Sequence, residues 1–296
     1  MFLQDFSGPQ HNPTRDKFIT AASSGFGKYI ALEALSRGHK VIASARSTSR
    51  LHDLQEKGAV TVALDVTAPQ AETEKIAQKA NAQYGCINHL VNAAGYILVG
   101  AVEETSKPKE DFDQFNTNVF GMLNVSKAFL PYIRSTSGHR TIANFGSIGS
   151  WHGGAGFALY AGTKWACSGI SESMRSELAP LGISVTVIEP GYFRTGFLNA
   201  GTQIKSEKRI KEYDETAVGE VRATLDKVNN NQPGDVRKGS RVIVDILTKT
   251  GAAEGRDVPM RVALGSDCSP GIREKIEGTM KLLAEWDAIT TKTDHE

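Results

Sequence analysis

The chain has 296 residues, of which 40% are hydrophobic and 23% charged, and its formal net charge is +1. This is ordinary globular composition, long enough for one large α/β domain or two small ones. So even a charge balance carries no field for nucleic acid or acidic lipid and argues against both as partners.

Residues 1–16 are rich in Pro, Gly and polar side chains and are expected to form an irregular arm. They lack the long apolar run of a signal peptide. Nowhere does the chain approach the ~20 apolar residues of a membrane span, so a cytoplasmic protein without one is expected. From residue 17 onward, strand-like apolar runs alternate with amphipathic stretches. The strand candidates are 17–20, 40–45, 59–64, 89–93, 140–145, 184–189 and 260–265. Several are continuous and β-branched, the pattern of strands buried on both faces. The helix candidates are 26–37, stopped by Gly38; 69–83; 111–134, with Phe112, Phe115, Val119, Leu123 and Phe129 at near-helical spacing; and 157–179. This alternation predicts an α/β fold with a parallel sheet and right-handed crossovers. With no internal repeat or low-complexity linker, residues 17–296 are expected to form a single domain. Residues 196–235 break the alternation and carry the polar run Asn229-Asn230-Asn231-Gln232-Pro233-Gly234. They read as an insertion, either covering a ligand or forming a surface excursion. Cys86, Cys167 and Cys268 form neither a CxxC pair nor a Cys/His metal spacing, so reduced thiols and no metal site are expected.

Two loops in this frame suit a cofactor. Ala21-Ala22-Ser23-Ser24-Gly25-Phe26-Gly27 follows the first strand and leads straight into a helix. A Gly-rich turn there exposes backbone N–H groups at the positive helix end, which suits a pyrophosphate. The second strand ends in Ala45-Arg46, where an NAD site would place an acid on the ribose 2′-hydroxyl. A guanidinium instead matches a 2′-phosphate in charge and fork geometry and points to NADP(H); the competing reading is a solvated Arg at a helix start.

Tyr160 and Lys164, in YAGTK, lie one helical turn apart on one face, thirteen residues beyond Ser147. A free phenol has a pKa of about 10. A fixed cation beside it would favour the phenolate and lower that value. A hydroxyl such as that of Ser147 would hold a carbonyl oxygen beside the phenol, ready for proton transfer. Alone, such a pair is more often just a packed Tyr and a solvated Lys; its context decides.

Five segments in order resemble the short-chain dehydrogenase/reductase family. The opening fingerprint TGxxxGxG stands as Thr20-Ala21-Ala22-Ser23-Ser24-Gly25-Phe26-Gly27, and the NAG-type motif as Asn92-Ala93-Ala94-Gly95. Asn118, in NTNVFG, matches the catalytic asparagine; Ser147, Tyr160 and Lys164 match the Ser–Tyr–Lys set; PGxxxT runs from Pro190 to Thr195. The resemblance covers about residues 17–195 strongly and the tail more loosely. It implies a Rossmann-like, doubly wound sheet of about seven parallel strands flanked by helices. It also implies NADP(H) held by Thr20, Ser23, Ser24, Gly25, Phe26 and Gly27 in the first loop and by Arg46. Asp65 would meet the adenine amino group, and Asn92 and Gly95 would line the adenosine. Tyr160 and Lys164 would bond the nicotinamide ribose, and Pro190, Phe193 and Thr195 the carboxamide end. Asn118 would support a water linking Lys164 to solvent. One departure stands out: the family's first glycine is Ala21, whose methyl would crowd the cofactor or strain the turn unless its φ is negative.

The implied chemistry is hydride transfer between NADPH and the carbonyl carbon of a ketone or aldehyde, or the reverse from a secondary alcohol. Tyr160 would act as general acid/base, Ser147 would hold the oxygen, and Lys164 would lower the phenol's pKa and orient the ribose. Pocket candidates are Tyr96, Ile97, Leu98, Trp151, His152, Phe157, Tyr192, Phe193 and Phe197; an aromatic lining suits a medium-sized apolar substrate. Family members that act on retinoid-, steroid- or secondary-metabolite-like molecules are the nearest analogy. Other readings are a non-redox epimerase, dehydratase or cyclase of the same fold, and an NADP(H)-sensing binding protein without turnover. The resemblance further implies a homodimer or homotetramer paired through the helices at 111–134 and 157–179.

Overall fold

The computed structural model describes residues 15–105 and 107–295. Its strands are β1 Lys17–Ile19, β2 Val41–Ala45, β3 Val60–Ala63, β4 His89–Asn92, β5 Ile97–Val99, β6 Arg140–Phe145, β7 Ile183–Pro190, β8 Gln203–Lys205 and β9 Arg261–Leu264. Its helices are α1 Gly25–Ser36, α2 His52–Glu56, α3 Gln70–Tyr84, α4 Pro108–Phe115, α5 Gly121–Ser135, α6 Ala158–Leu178, α7 Ala217–Val228, α8 Val236–Thr248 and α9 Cys268–Thr290. The seven apolar runs expected as strands all join one parallel sheet, in the order β3-β2-β1-β4-β6-β7-β9.

The two-residue period of a strand sends alternate side chains to opposite faces, and each face acquires its own core. Phe18, Ile42, Leu90, Ile142 and Val185 pack with α3, α5 and α6, where Phe18 and Phe129 stand with ring centroids 4.1 Å apart. Ile19, Ala43, Val91, Ala143 and Ile188 pack with α1 and α8. Burial on both faces is why these strands read as unbroken apolar runs. Strand order reverses between β1 and β4, and a crevice opens outside the carboxyl ends at such a point.

Three features differ from the sequence reading. The single helix expected over 111–134 is α4 and α5 joined by a widened turn, Asn116–Phe120, which buries Asn118 and Val119. An i→i+5 turn of this kind re-aims side chains within an otherwise continuous helix, and Phe112 before it is exposed while Val119 and Phe129 are buried. The insertion carries β8, which pairs with β5 in a separate ribbon, and then α7. It is anchored by Arg222 against the fully buried Glu104, which also accepts the backbone N–H groups of Ala101 and Ile210. Finally, Arg15 and Asp16 belong to the body rather than to an arm: Arg15 donates to the Thr248 carbonyl at 2.9 Å, and the Asp16 carbonyl accepts from Asn88 and His89. The rest of the expected arm lies outside the described residues. No helix among those residues is long and apolar enough to cross a membrane.

Candidate active site

The turn from β1 into α1 is tied down from below. Thr20 Oγ1 accepts the backbone N–H groups of Ala93 (2.9 Å) and Ala94 (3.2 Å) and donates to the Val91 carbonyl (3.3 Å), coupling this turn to the loop after β4. At Gly27 a Cβ would lie 2.6 Å from the Ala21 carbonyl oxygen, so a side chain there would lift α1 off the turn. Ser24 caps α1 without a side-chain bond, which leaves the first-turn backbone N–H groups free for an anion. Ala21 adopts φ 51°, not the negative value that would make its methyl harmless. A left-handed L-residue costs about 1–2 kcal/mol, a strain that glycine would not carry.

Two adjoining cavities of about 390 and 1030 Å³ open here, and Ala21, Ser24, Gly95 and Thr202 line both. The larger holds Ser23, Arg46 and Asp65; the smaller holds Gly25, Phe26, Gly27, Ser147, Tyr160, Lys164, Pro190, Phe193 and Thr195. Most residues singled out from the sequence therefore meet along one cleft. Thr20, Asn92 and Asn118 line neither cavity. Asn92, expected along the adenosine, turns its amide inward to Ser126 (3.0 Å) and Asn144 (2.9 Å), bracing β4 against β6 and α5. Asn118 accepts from the Tyr96 N–H and donates to the Tyr96 carbonyl and Thr163 Oγ1, each at 3.0 Å. Its side chain thus clamps the chain after Gly95. Asp65 accepts from the N–H (2.9 Å) and hydroxyl (2.7 Å) of Thr67, which fixes the loop after β3. The sequence reading missed Ser47 and Arg50, which join Arg46 in the larger cavity. The signal was available: Arg50 follows Arg46 by four residues, and the short 3-10 turn Thr48–Leu51 brings it round to the same side.

The catalytic candidates come from three elements. Ser147 follows β6; its Oγ accepts the Gly149 N–H at 3.1 Å while its own N–H donates to Ser150 Oγ at 3.2 Å, so a two-way cap holds this turn. Tyr160 and Lys164 project from α6, with the Lys164 Nζ 5.7 Å from the phenol ring centroid and donating to the Phe145 carbonyl at 2.7 Å. Burial pushes the Tyr160 phenol up to about 12, opposed in part by the neighbouring Ser147 hydroxyl. Burial also lowers the Lys164 ammonium. This corrects the expected sign. Helical spacing brings a cation to within 5.7 Å of the phenol ring, but desolvation dominates at both groups and drives each toward its neutral form.

Around the phenol, Ile97, Phe157, Phe197, Leu198 and Leu225 make an apolar wall. Leu198 and Leu225 come from the insertion and were not among the expected pocket residues. Tyr192, Phe193 and His152 also line the smaller cavity, whereas Tyr96 and Leu98 line the larger. His152 is engaged, its Nε2 donating to the Gly271 carbonyl at 2.7 Å. Trp151 lines neither cavity: its indole donates to Glu189 at 2.8 Å under the Arg261 guanidinium, 4.0 Å from the ring centroid.

Comparison with known proteins places this geometry in context. Residues 17–206 match the family described as short chain dehydrogenase. The oxidoreductase BOA17 of Botryotinia fuckeliana is 32% identical over 260 residues, covering 86% of this chain and 90% of that protein. Retinol dehydrogenase 16 of Homo sapiens is 30% identical over 243 residues, covering 75% and 74%. A solved short-chain dehydrogenase from Streptomyces avermitilis matches with a TM-score of 0.85 at 35% identity, covering 96% of this chain and 100% of that one.

Proposed function

The chain belongs to the short-chain dehydrogenase family, and from that premise we propose that it is an NADPH-dependent oxidoreductase that reduces a medium-sized apolar ketone or aldehyde, or oxidises the matching secondary alcohol. The observation that carries the reading is the meeting of Ser147, Tyr160 and Lys164 in an apolar cavity that adjoins a second one lined by Arg46 and Arg50. The residues present fit the cofactor. The uncapped start of α1 and the close approach at Gly27 suit its pyrophosphate, and two guanidiniums beside Ser47 suit a 2′-phosphate. When bound, NADPH supplies the hydride. The chain's residues do the rest. Ser147 holds the substrate oxygen, and Tyr160, kept protonated at neutral pH by burial, donates its proton to that oxygen. Lys164, braced on the Phe145 carbonyl, orients the cofactor's ribose hydroxyls. Asn118 positions the loop after Gly95, and the wall from the insertion excludes water and selects apolar substrates. Exposed Phe112, Phe120 and Trp165, on α4, the widened turn and α6, support self-association across those helices.

Titrating NADPH and NADH separately tests the cofactor assignment. Arg46→Asp with Arg50→Asp is expected to weaken NADPH by more than about tenfold, given the ~1.5–3 kcal/mol of a charge-assisted hydrogen bond, and to leave NADH nearly unchanged. Tighter binding of NADH by the wild type would overturn it. Turnover of substrate without net NADPH oxidation would move the assignment to a non-redox enzyme of the same fold.

A further inference from the structure

Helix α9 is unlike the rest of the molecule. Cys268 in its first turn is buried and donates to the Glu189 carbonyl at 3.2 Å, but every described residue from Arg273 onward is exposed. The exposed residues include Ile276, Met280, Leu282, Leu283, Trp286 and Ile289, each between 46% and 66% accessible. A helix of 23 residues is about 35 Å long at 1.5 Å per residue, so an apolar face on this one lies far beyond the reach of its own first-turn contacts. An apolar stripe of this size marks an interaction surface.

The pattern along α9 says what would cover it. Ile272, Ile276, Thr279, Leu283, Trp286 and Thr290 fall at alternating spacings of four and three, the two core positions of a heptad sustained over three repeats. One flank of the stripe carries Arg273, Met280 and Asp287 at intervals of seven; the other carries Lys275, Leu282 and Ile289. Two-fold antiparallel pairing sets each flank against the same flank of the other copy. When Ile276 opposes the partner's Trp286, Leu283 opposes the partner's Thr279. In that register Arg273 reaches the partner's Asp287 twice over, and Met280 meets its own copy near the axis. Parallel pairing would instead set each flank against the other, leaving Lys275 beside Met280 and Asp287 beside Leu282 with no ion pair. A membrane surface fits less well, because α9 carries three basic residues, Arg273, Lys275 and Lys281, against four acidic ones, Glu274, Glu277, Glu285 and Asp287.

We infer that α9 is a self-association element that pairs with α9 of a second copy, antiparallel and closed by a two-fold axis. Arg273 and Asp287, the charges on one flank of its apolar stripe, complement each other only in that arrangement, as an isologous contact requires.

Sedimentation equilibrium on the full chain tests this, together with cross-linking. Arg273→Asp and Asp287→Arg are each expected to weaken the association by about tenfold or more, since each sets like charges opposite one another at two places. Combining the two substitutions should restore it. Met280→Cys should cross-link into a covalent pair with a short bismaleimide, above the background from the native cysteines. Absence of that cross-link, single variants that associate like the wild type, or a double variant no better than the singles would each overturn the pairing. So would a wild-type chain that stays monomeric at micromolar concentration yet binds lipid vesicles.

Discussion

Both ends of the central sheet bury titratable groups, and the contrast between them is instructive. At the carboxyl end, burial raises Tyr160 to about 12 and lowers Lys164. At the amino end, burial lowers Lys17 to about 7, helped by Arg15 and Arg37 and opposed by Asp16. There, too, His39 falls to about 4 and His89 well below its ordinary range, chiefly through burial and then the charge of Lys17. The perturbations are comparable, yet Tyr160 and Lys164 line a cavity and Lys17, His39 and His89 line neither of the two. His89 sits with its Nδ1 2.6 Å from Thr141 Oγ1, its ring edge-on to His139 and its Nε2 without a hydrogen-bond partner among the described residues. A shifted pKa therefore measures exclusion of water. Function needs, in addition, a space where a reacting atom can sit beside the shifted group.

Single substitutions at the two ends should separate these roles. The largest effect is expected from Tyr160→Phe, which keeps the ring and removes the proton. NADPH-dependent carbonyl reduction should fall by roughly a thousandfold, within the usual range for losing a general acid, with little change in melting temperature. Lys17→Met, at the opposite end, should leave turnover within about twofold, because that end holds no reacting atom. A large loss of activity in Lys17→Met would break the comparison.

Next in size is the stability change in Lys17→Met. Relieving a buried ammonium should raise the unfolding free energy at pH 7 by about 1–3 kcal/mol, measured by urea denaturation, at 1.36 kcal/mol per pKa unit and with allowance for lost packing. The pH dependence sharpens the point. Between about pH 7 and 10.5 the unfolded chain still holds the Lys17 proton that the folded chain has released. Wild-type stability should therefore climb with pH through that window, as linkage requires when the unfolded state binds more protons. Lys17→Met should flatten the climb; a climb of unchanged slope would show that Lys17 is not its source.

The smallest effect is expected at Ala21, on the cleft side. Ala21→Gly relieves the left-handed strain and should stabilise the fold by about 1 kcal/mol, less the extra chain entropy of glycine. Because Ala21 lines both cavities, the same change should also tighten NADPH. Weaker binding in Ala21→Gly would mean that the methyl packs usefully against the cofactor.

Much of this was legible from residues close together in the chain. The strands show as continuous β-branched runs because both faces of the sheet are covered. Tyr160 and Lys164 share a face because four residues make about one helical turn. The turn before α1 is recognisable because strand, Gly-containing loop and helix follow directly. What escaped depended on partners far away in sequence. The three-residue strands β5 and β8 are too short to carry a period and exist only by pairing across about a hundred residues. Asn92 was expected to line a cofactor, yet its amide is claimed by Ser126 and Asn144, which only the packing of β4, α5 and β6 brings near. Leu198 and Leu225 lay in a stretch read for its polarity and became the wall of the cavity.

By itself, then, the sequence determined the α/β alternation, the place of the Gly-containing turn before α1 and the one-turn spacing of the phenol and the ammonium. These follow from local geometry: residue periods of two and 3.6, and the φ preferences of glycine. Only the tertiary structure decided the left-handed φ of Ala21, the aim of Asn92 and Asn118, and the sign of the shift at Tyr160. Each of these depends on how much water and which distant dipoles surround a group once the chain has closed over it, and no spacing along the chain encodes that.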